Sequence, residues 1–436
     1  MTSDAQLDAG QNWYEADRPL PALPSLPPGE HRCDVCVVGA GLTGLSAALE
    51  LAERGYRVIL LEARDAAAQA SGRSGGHALR GFQSGMQAVE RLAGSERARA
   101  LWDLSVEARS LIDQRIARHG IDCAFKPGYL IAALSPSDHD DQKRERDDFA
   151  RFGETVELLD RQQTQALAAS PHYVGGLLQP SGGRLHPLKY TLGLAQAARQ
   201  AGASLYGGSP ALALETDNRS NRVRLAQATV QANFVVLAAG AFTPELAPAL
   251  DSHSMRAFTY MVASARLGER AAEILPSDIA VEDTYYSLNY YHLSADHRLL
   301  FGSGFSYSPW SVAHIKRRDR GVMRWLFPQL ESVEVDYAWR GPIDVTRTRL
   351  PDLGRLSPTV FYAHGFSGHG IALTGLAGRL MAEAVAGTAE RFEVFAGLKV
   401  KPFPQSRLMR QAALEARMAY WRAIQLLQNA RAAVAK

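Results

Sequence analysis

Three cysteines in 436 residues are too few for a disulfide framework. Cys33 and Cys36 form a C-x-x-C, but no second such pair and no histidine pair completes a metal set. Residues three apart on a strand face opposite sides, so both read as buried strand thiols, and no metal site is expected. A reducing cytoplasm suits that usage. No apolar stretch approaches the ~20 residues needed to span a bilayer, so no integral membrane segment is expected. Charge of either sign is not in excess. A formal net charge of +3 gives no case for a nucleic-acid partner, and the short run Lys316-Arg317-Arg318 reads as a solvated helix face. Residues 1–30 lack a signal-peptide pattern: they are polar, then rich in proline (Pro19, Pro21, Pro24, Pro27, Pro28). They read as an extended arm on the surface or on a neighbouring subunit. There is no internal repeat, no catalytic triad and no pair of acids at working distance.

What is present is concentrated near the start. The strand-like run Cys33-Asp34-Val35-Cys36-Val37-Val38 leads into Gly39-Ala40-Gly41-Leu42-Thr43-Gly44. An amphipathic helix with Leu45, Leu49, Leu51 and Ala52 follows, then a second strand, Val58–Leu61, ending at Glu62. Gly39 allows the sharp turn, Gly41 lets the backbone approach a pyrophosphate, and Gly44 lets helix and strand pack closely. The helix start offers free amides and the positive end of its dipole, and Glu62 is placed for ribose hydroxyls. Strand, turn, helix and acid together point to a dinucleotide.

The rest of the chain divides by pattern. A small-residue loop, Ala70-Ser71-Gly72-Arg73-Ser74-Gly75-Gly76, precedes an apolar-faced helix over 86–120. A strand at Gly128–Ile131 and a charged helix over 137–152 follow. Another helix runs from Pro187 to about Gln200, stopping at Gly202, before short strands at Ala211–Glu215 and Val223–Leu225. The apolar strand Phe234–Leu237 ends in Ala238-Ala239-Gly240 and is expected beside the first strand. Residues 255–267 and 284–307 alternate as antiparallel strands of another sheet. The tail returns to strand Val360–Ala363, the turn His364–Gly370 and a helix Ile371–Val385, with an amphipathic helix over 407–430 whose basic residues include Arg407, Arg410, Arg417 and Arg422. The expected fold is α/β: a Rossmann-like nucleotide domain assembled from 31–95, 183–250 and 340–395, with a β-rich substrate domain (96–182 and 251–339) inserted, an arm at 1–30 and a helical extension at 396–436.

No second G-x-G-x-x-G is available for a nicotinamide. The elements Val37–Gly44, Glu62-Ala63, Ala70–Gly76, Leu237–Gly240 and Gly365–Gly370 together resemble the D-amino-acid-oxidase-type FAD superfamily of glycine and sarcosine oxidases. Tyr290–Ser294, Arg298–Gly302 and His364–Thr374 are further similar to its γ-glutamylputrescine oxidase group. The resemblance runs from about residue 12 to 410. It implies FAD, held non-covalently, with Gly39, Gly41, Leu42, Thr43, Gly44, Glu62, Ala63 and Arg64 at the ADP half. Ser71, Gly72, Arg73, Ser74, Gly75 and Gly76 match the loop passing the pyrophosphate and approaching the flavin. Ala211 matches the backbone contact to adenine. Ala239, Gly240 and Gly341 match close backbone approaches, and Gly368, His369, Gly370, Ile371 and Ala372 match the helix start at the pyrimidine edge of the flavin ring.

The implied reaction is hydride transfer from the carbon beside an amine nitrogen to the flavin N5, imine hydrolysis to an aldehyde, and reoxidation by oxygen to hydrogen peroxide. The neutral amine needed calls for an apolar, water-poor pocket. Candidate catalytic residues are His369, Tyr291, Tyr260 and Phe366, with Tyr286, Tyr290, Phe301 and Phe305 as other aromatics. Tyr290 and Tyr291 face opposite ways on a strand, so one of them lines the pocket. Two departures shape the substrate class. The amino-acid oxidases place Arg directly before Pro to grip a carboxylate, whereas this chain has Gly341-Pro342 with Arg340 one place earlier, on the other face. Residues 282–304 also lack the lysine that assists oxygen in monomeric sarcosine oxidases. The partners expected are a small-molecule amine and oxygen or another electron acceptor, and a homodimer stays open. A dehydrogenase passing electrons to a quinone or carrier is the alternative.

Overall fold

The computed structural model describes residues 9–416 apart from 218–219, 286–287, 399, 405 and 407. Strand β1 (Gly29–Val38) and strand β2 (Val58–Leu61) flank helix α2 (Leu42–Glu53), itself preceded by the short helix α1 (Trp13–Asp17). Val35–Val38 and all four residues of β2 are buried, the continuous apolar run expected where a strand is covered on both faces. The two strands pair in parallel, Val35 opposite Val58, and the helix crosses over between them.

The strand Ala228–Leu237 lies parallel on the other side of β1, and Val360–His364 pairs with it in turn, Val236 opposite Phe361. Asp352–Ser357 and Ser204–Tyr206 complete the main path of this first sheet, and the hairpin Ala213–Thr216/Asn221–Arg224 branches from it. Strands separated by more than 100 residues therefore meet beside β1. Four neighbouring pairs of this path are parallel, and each requires its own crossover.

A second, nine-stranded sheet takes His77–Ala78, Lys126–Ala133, Glu157–Asp160, Gly175–Arg184, Ala280–Asp283, Asn289–Leu293, Leu299–Ser306, Ser254–Ser264 and Val335–Thr346. Its strands Ser254–Ser264, Asn289–Leu293 and Leu299–Ser306 are buried on both faces, with side chains alternating between two cores. Met261, Ala263, Leu300 and Trp339 face the main core shared with the first sheet's helices. Phe258, Tyr260, Val262, Tyr291, Leu299 and Phe301 face a second core.

The proline-rich stretch 19–25 is extended and largely exposed, as expected of a surface arm, but the residues just before it are not. Trp13 and Tyr14 are 5% and 0% exposed and belong to the main core. Proline spacing alone hid this, because two aromatics at the tip outweigh the extended stretch behind them. The helix expected over 86–120 is two helices, Met86–Ala93 and Ser95–His119, broken at Gly94 with φ +80°. The last long helix begins at Leu373, and Ile371 and Ala372 belong to the turn before it. Cys33 and Cys36 are buried free thiols that join the same outer cluster rather than opposite faces. Before Val35, β1 has a ladder on one side only and can twist there. Residues 408–416 are helical; Arg417 and Arg422 of the expected basic helix, with Arg407, lie outside the described residues, as does Tyr286. Among the described residues no helix is long and apolar enough to cross a membrane.

Candidate functional site

Three glycine-bearing turns converge where the two sheets meet. In the first, Gly39 has φ +108°, and a Cβ there would lie 2.6 Å from the Ala238 carbonyl oxygen. A Cβ on Gly44 would collide with the Gly39 carbonyl. Gly41 is the extended residue before α2, and no side chain caps the helix. The Leu42 amide donates to Ser71 Oγ at 3.0 Å, while Thr43 is buried behind it. Glu62 is pinned beside this turn, accepting from the Ala40 amide (2.8 Å) and the Arg64 amide (2.9 Å). Ala63 and Arg64 are exposed at its rim. An uncapped helix start beside an oriented carboxylate is a phosphate-and-ribose geometry.

The second turn, 70–76, is packed too closely for side chains. A Cβ on Gly72 would strike the Ala67 carbonyl and one on Gly76 the Leu185 carbonyl, and one on Gly75 would sit 2.7 Å from the Tyr290 ring. Ser74 Oγ accepts from the Gly76 amide at 3.4 Å. Gly341 faces the same loop, its Cβ position 3.6 Å from Arg73 Cβ. The Arg73 guanidinium turns away from the loop toward the N-terminal segment, pairing with Glu15 at 2.9 Å. Asn12 Nδ2 reaches the Gly72 carbonyl at 3.4 Å, and Trp339 Nε1 donates to the Arg73 carbonyl at 2.9 Å. Helix α1 is thus stitched to the loop.

In the third turn, Gly365, Ser367 and Gly368 have φ of +75°, +55° and +87°. Ser367 is held there by its amide to the Asp344 carbonyl (3.0 Å), a strain the surroundings sustain. Phe366 is in the main core, and Gly370 packs on its Cβ. The helix Leu373–Val385 follows with no capping side chain, so the amides of Gly370 to Leu373 are available to a ligand, while that of His369 donates to the Phe366 carbonyl at 2.9 Å. The His369 ring faces the Arg80 carbonyl, its Nε2 is buried without a partner, and burial pushes its pKa down to about 4. Ala239 and Gly240 (φ +52°) close the strand beside β1, and Ala211 packs on the outer cluster.

The aromatic candidates separate by face. Tyr291 points into the second core, stacked on Phe301 at 5.8 Å with its hydroxyl 2.7 Å from that of Tyr173. Tyr260 faces the same way, stacked on Trp310 at 4.2 Å and accepting from the Trp310 amide at 3.2 Å. Neither lies on the face that meets the glycine loops, so both assignments are corrected. Tyr290 takes that place, against Gly75 and Gly302, with His77 at 5.7 Å between ring centroids. The signal available was Gly302: it pairs across the strands with Tyr290, and a Cβ there would strike the Tyr290 ring. His292 was also missed; its Nε2 lies 3.1 Å from the Gly75 carbonyl. Arg340 indeed faces away from Gly341, donating to the Trp310 carbonyl at 3.0 Å and lying over Phe258.

Three buried polar atoms here have no partner among the described residues: Tyr14 Oη, His77 Nε2 and His369 Nε2. Burial raises the Tyr14 phenol and, with Arg184, lowers His77 to about 3. Both imidazoles are therefore neutral at pH 7. Tyr14→Phe removes an unsatisfied hydroxyl, so the apoprotein is expected to keep or gain up to about 1 kcal/mol in urea unfolding. A loss would show that the hydroxyl is already bonded within the chain. Farther out, Asp352 Oδ2 accepts from His253 (2.7 Å) and His364 (2.8 Å), which holds its carboxyl down to about 2. These three are the His/acid group among the described residues whose atoms converge as metal ligands could.

A family model described as FAD dependent oxidoreductase matches residues 34–384. A Haemophilus influenzae protein named probable oxidoreductase OrdL is 40% identical over 407 residues, covering 92% of this chain and 93% of that one. The Escherichia coli gamma-glutamylputrescine oxidoreductase is 39% identical over 381 residues, covering 87% and 89%. Among solved structures, glycine oxidase from Geobacillus kaustophilus superposes with a TM-score of 0.68 at 24% identity, covering 82% of this chain and 95% of that one.

Proposed function

The chain belongs to the FAD-dependent oxidoreductase family, and from that premise we propose that it oxidises a γ-glutamylated amine of the γ-glutamylputrescine type at the carbon beside its free amine. The observation that carries this reading is the position of Arg340. Its guanidinium is engaged at Trp310 and Phe258, so among the described residues it offers no carboxylate clamp to the glycine loops, where a free amino acid would need one. What does face them is neutral: Tyr290, Trp339, Met261, His77 and His292.

The residues present fit FAD. Gly39, Gly41, Gly44 and Glu62 make a cradle that any Cβ would fill, for the ADP half. Gly72, Gly75 and Gly76 would flank the pyrophosphate and ring, and Gly368 to Ala372 would hold the ring's carbonyl edge with a helix start. No cysteine lies beside that turn, and His77 is walled in by Tyr129, Tyr290 and His292, so non-covalent binding is the form we assign. When bound, FAD supplies the two-electron acceptor for a hydride from the carbon beside nitrogen and passes the pair to oxygen as hydrogen peroxide.

The protein's own contribution is to make the amine reactive. Tyr290, Trp339 and Met261 exclude water, which lowers the pKa of a bound ammonium and leaves its nitrogen lone pair free. His77 and His369, neutral through burial, add no competing positive charge. Tyr290 covers Gly75 and sets how near the substrate carbon can come. A strong protein base is unnecessary once the amine is neutral.

Rapid mixing of the holoenzyme with γ-glutamylputrescine under nitrogen is expected to bleach the flavin, and admitted oxygen is expected to restore its colour. No bleaching by any amine sinks the reading; bleaching without fast return converts it to a dehydrogenase using a quinone or carrier. Tyr290→Ala is expected to slow bleaching at least about tenfold, the scale of one lost positioning contact. Tyr291→Phe is expected to affect stability instead, by removing its buried hydrogen bond to Tyr173. The reverse pattern would return the role to Tyr291.

A further inference from the structure

A cavity of about 450 Å³ opens between the segment 80–91 and the helix Pro136–Arg151, walled by Arg80, Phe82, Arg91, Trp102, Glu145 and Asp148 among others. Two unpaired charges of opposite sign share it. Arg91 has no hydrogen-bond or ion-pair partner among the described residues, and neither does Glu145. Glu145 reaches solvent at the cavity mouth, and crowding by the cavity walls, then the carboxylates Glu282 and Asp148, push its carboxyl up to about 7. A carboxylate among carboxylates, with no cation beside it, is a site that an ammonium relieves.

The cavity is tied to the candidate site twice. Arg80, on its wall, presents its backbone carbonyl to the His369 ring. Glu282, which acts on Glu145, also acts on Tyr290 and bonds the hydroxyl of Tyr129, whose ring meets His77 at 5.4 Å. From Gly76 to Arg80 the chain can extend at most about 14 Å. The eight bonds between the reacting carbon of γ-glutamylputrescine and its amino-acid carbon span about 10 Å at the same rise per bond. The His369 ring already meets Arg80 on the cavity wall, so a span of that length covers the step from the flavin-side turn to the cavity.

We propose that this cavity binds the zwitterionic α-amino-acid head of the substrate, its carboxylate on Arg91 and its ammonium on Glu145. The assignment rests on the γ-glutamylated-amine reading above and adds where that substrate is recognised. It also accounts for an amino-acid head recognised without an arginine free to face the glycine loops, Arg73 being held by Glu15: the head lies remote from the carbon oxidised. Other charges on the walls are already engaged, Arg80 with Glu154, Arg144 with Asp141, and Asp148 with Arg151.

Calorimetry of the holoenzyme with γ-glutamylethylamide, which carries the head but no oxidisable free amine at its tail, is the direct test. Wild type is expected to bind it, and Glu145→Gln and Arg91→Gln are each expected to weaken binding about tenfold to a hundredfold, the loss of one charge-assisted contact. In turnover, the same variants are expected to raise KM for γ-glutamylputrescine and lower its preference over N-butyrylputrescine, which lacks both charges, by a similar factor. Absence of binding to wild type, or equal binding to both variants, overturns the proposal. If γ-glutamylethylamide binds through Glu145 and Arg91 but γ-glutamylputrescine does not bleach the flavin, the head-group site stands and the proposed reaction falls.

Discussion

Replacing Gly44 by valine is expected to yield protein without visible flavin absorbance. Gly44 lies in the first turn of α2 directly over the Gly39 carbonyl, and its Cβ position is also 3.3 Å from Val37 Cγ1. There is backbone on one side and a buried strand side chain on the other, so nothing flexible can give way. The helix must lift off the strand, and the helix-start amides that follow Gly41 leave their position beside Glu62. Overpacking of this kind costs ~1–3 kcal/mol, and all of it falls on the cradle rather than on distant packing. FAD affinity is therefore expected to drop by up to about a hundredfold. Gly321→Ala is the matched control: nothing lies within 4 Å of its Cβ position, and its helix gains from the exchange. Full flavin content in the Gly44→Val protein, measured against protein concentration, would refute the cradle.

Arg115→Met is expected to cost about 3 kcal/mol of folding stability, read from urea midpoints at pH 7. Arg115 and Glu50 have side chains 4% and 8% exposed, 3.2 Å apart. Glu50 also takes Arg54 at 2.7 Å and Arg379 at 2.9 Å, while Arg115 donates to Ser46 Oγ at 2.6 Å. The cluster joins α2 to the helices Ser95–His119 and Leu373–Val385, the layer behind the first and third glycine turns. Removing one cation leaves a buried carboxylate short of a partner, which is where the cost arises. The arginines hold the Glu50 carboxyl down to about 2 against an ordinary 4.5. A depressed carboxylate contributes stability that is complete above pH 4.5 and lost as pH falls toward 2. Arg115→Met should flatten that acid limb. An unchanged midpoint and an unchanged acid limb together would show the cluster to be surface-like.

The elements that repeat a local rule were legible. A strand, a glycine turn, a helix and an acid within 30 residues need only near neighbours, and α2 and β2 lie where the spacing puts them. The return of Phe234–Leu237 to β1 and of Val360–His364 beyond it was legible for a similar reason, since apolar strands ending in small residues fit a doubly covered parallel sheet. Alternation on Asn289–Leu293 went half way. It said that Tyr290 and Tyr291 face opposite sides, but which side meets the glycine loop depends on Gly302 lying across the ladder.

The amino-acid sequence by itself determined the ligand class, because phosphate binding at a helix start uses backbone amides whose geometry is set by glycines close in sequence. It also determined that Arg340 points away from Gly341, because strand alternation is a property of single residues. Only the tertiary structure decided which aromatics face the site, that Trp13 and Tyr14 are drawn into the core beside the loop 70–76, and that Arg91 and Glu145 share one cavity. Those are contacts between segments tens to hundreds of residues apart. Their partners are chosen by how two sheets and their helices pack, and no periodicity within one segment carries that information.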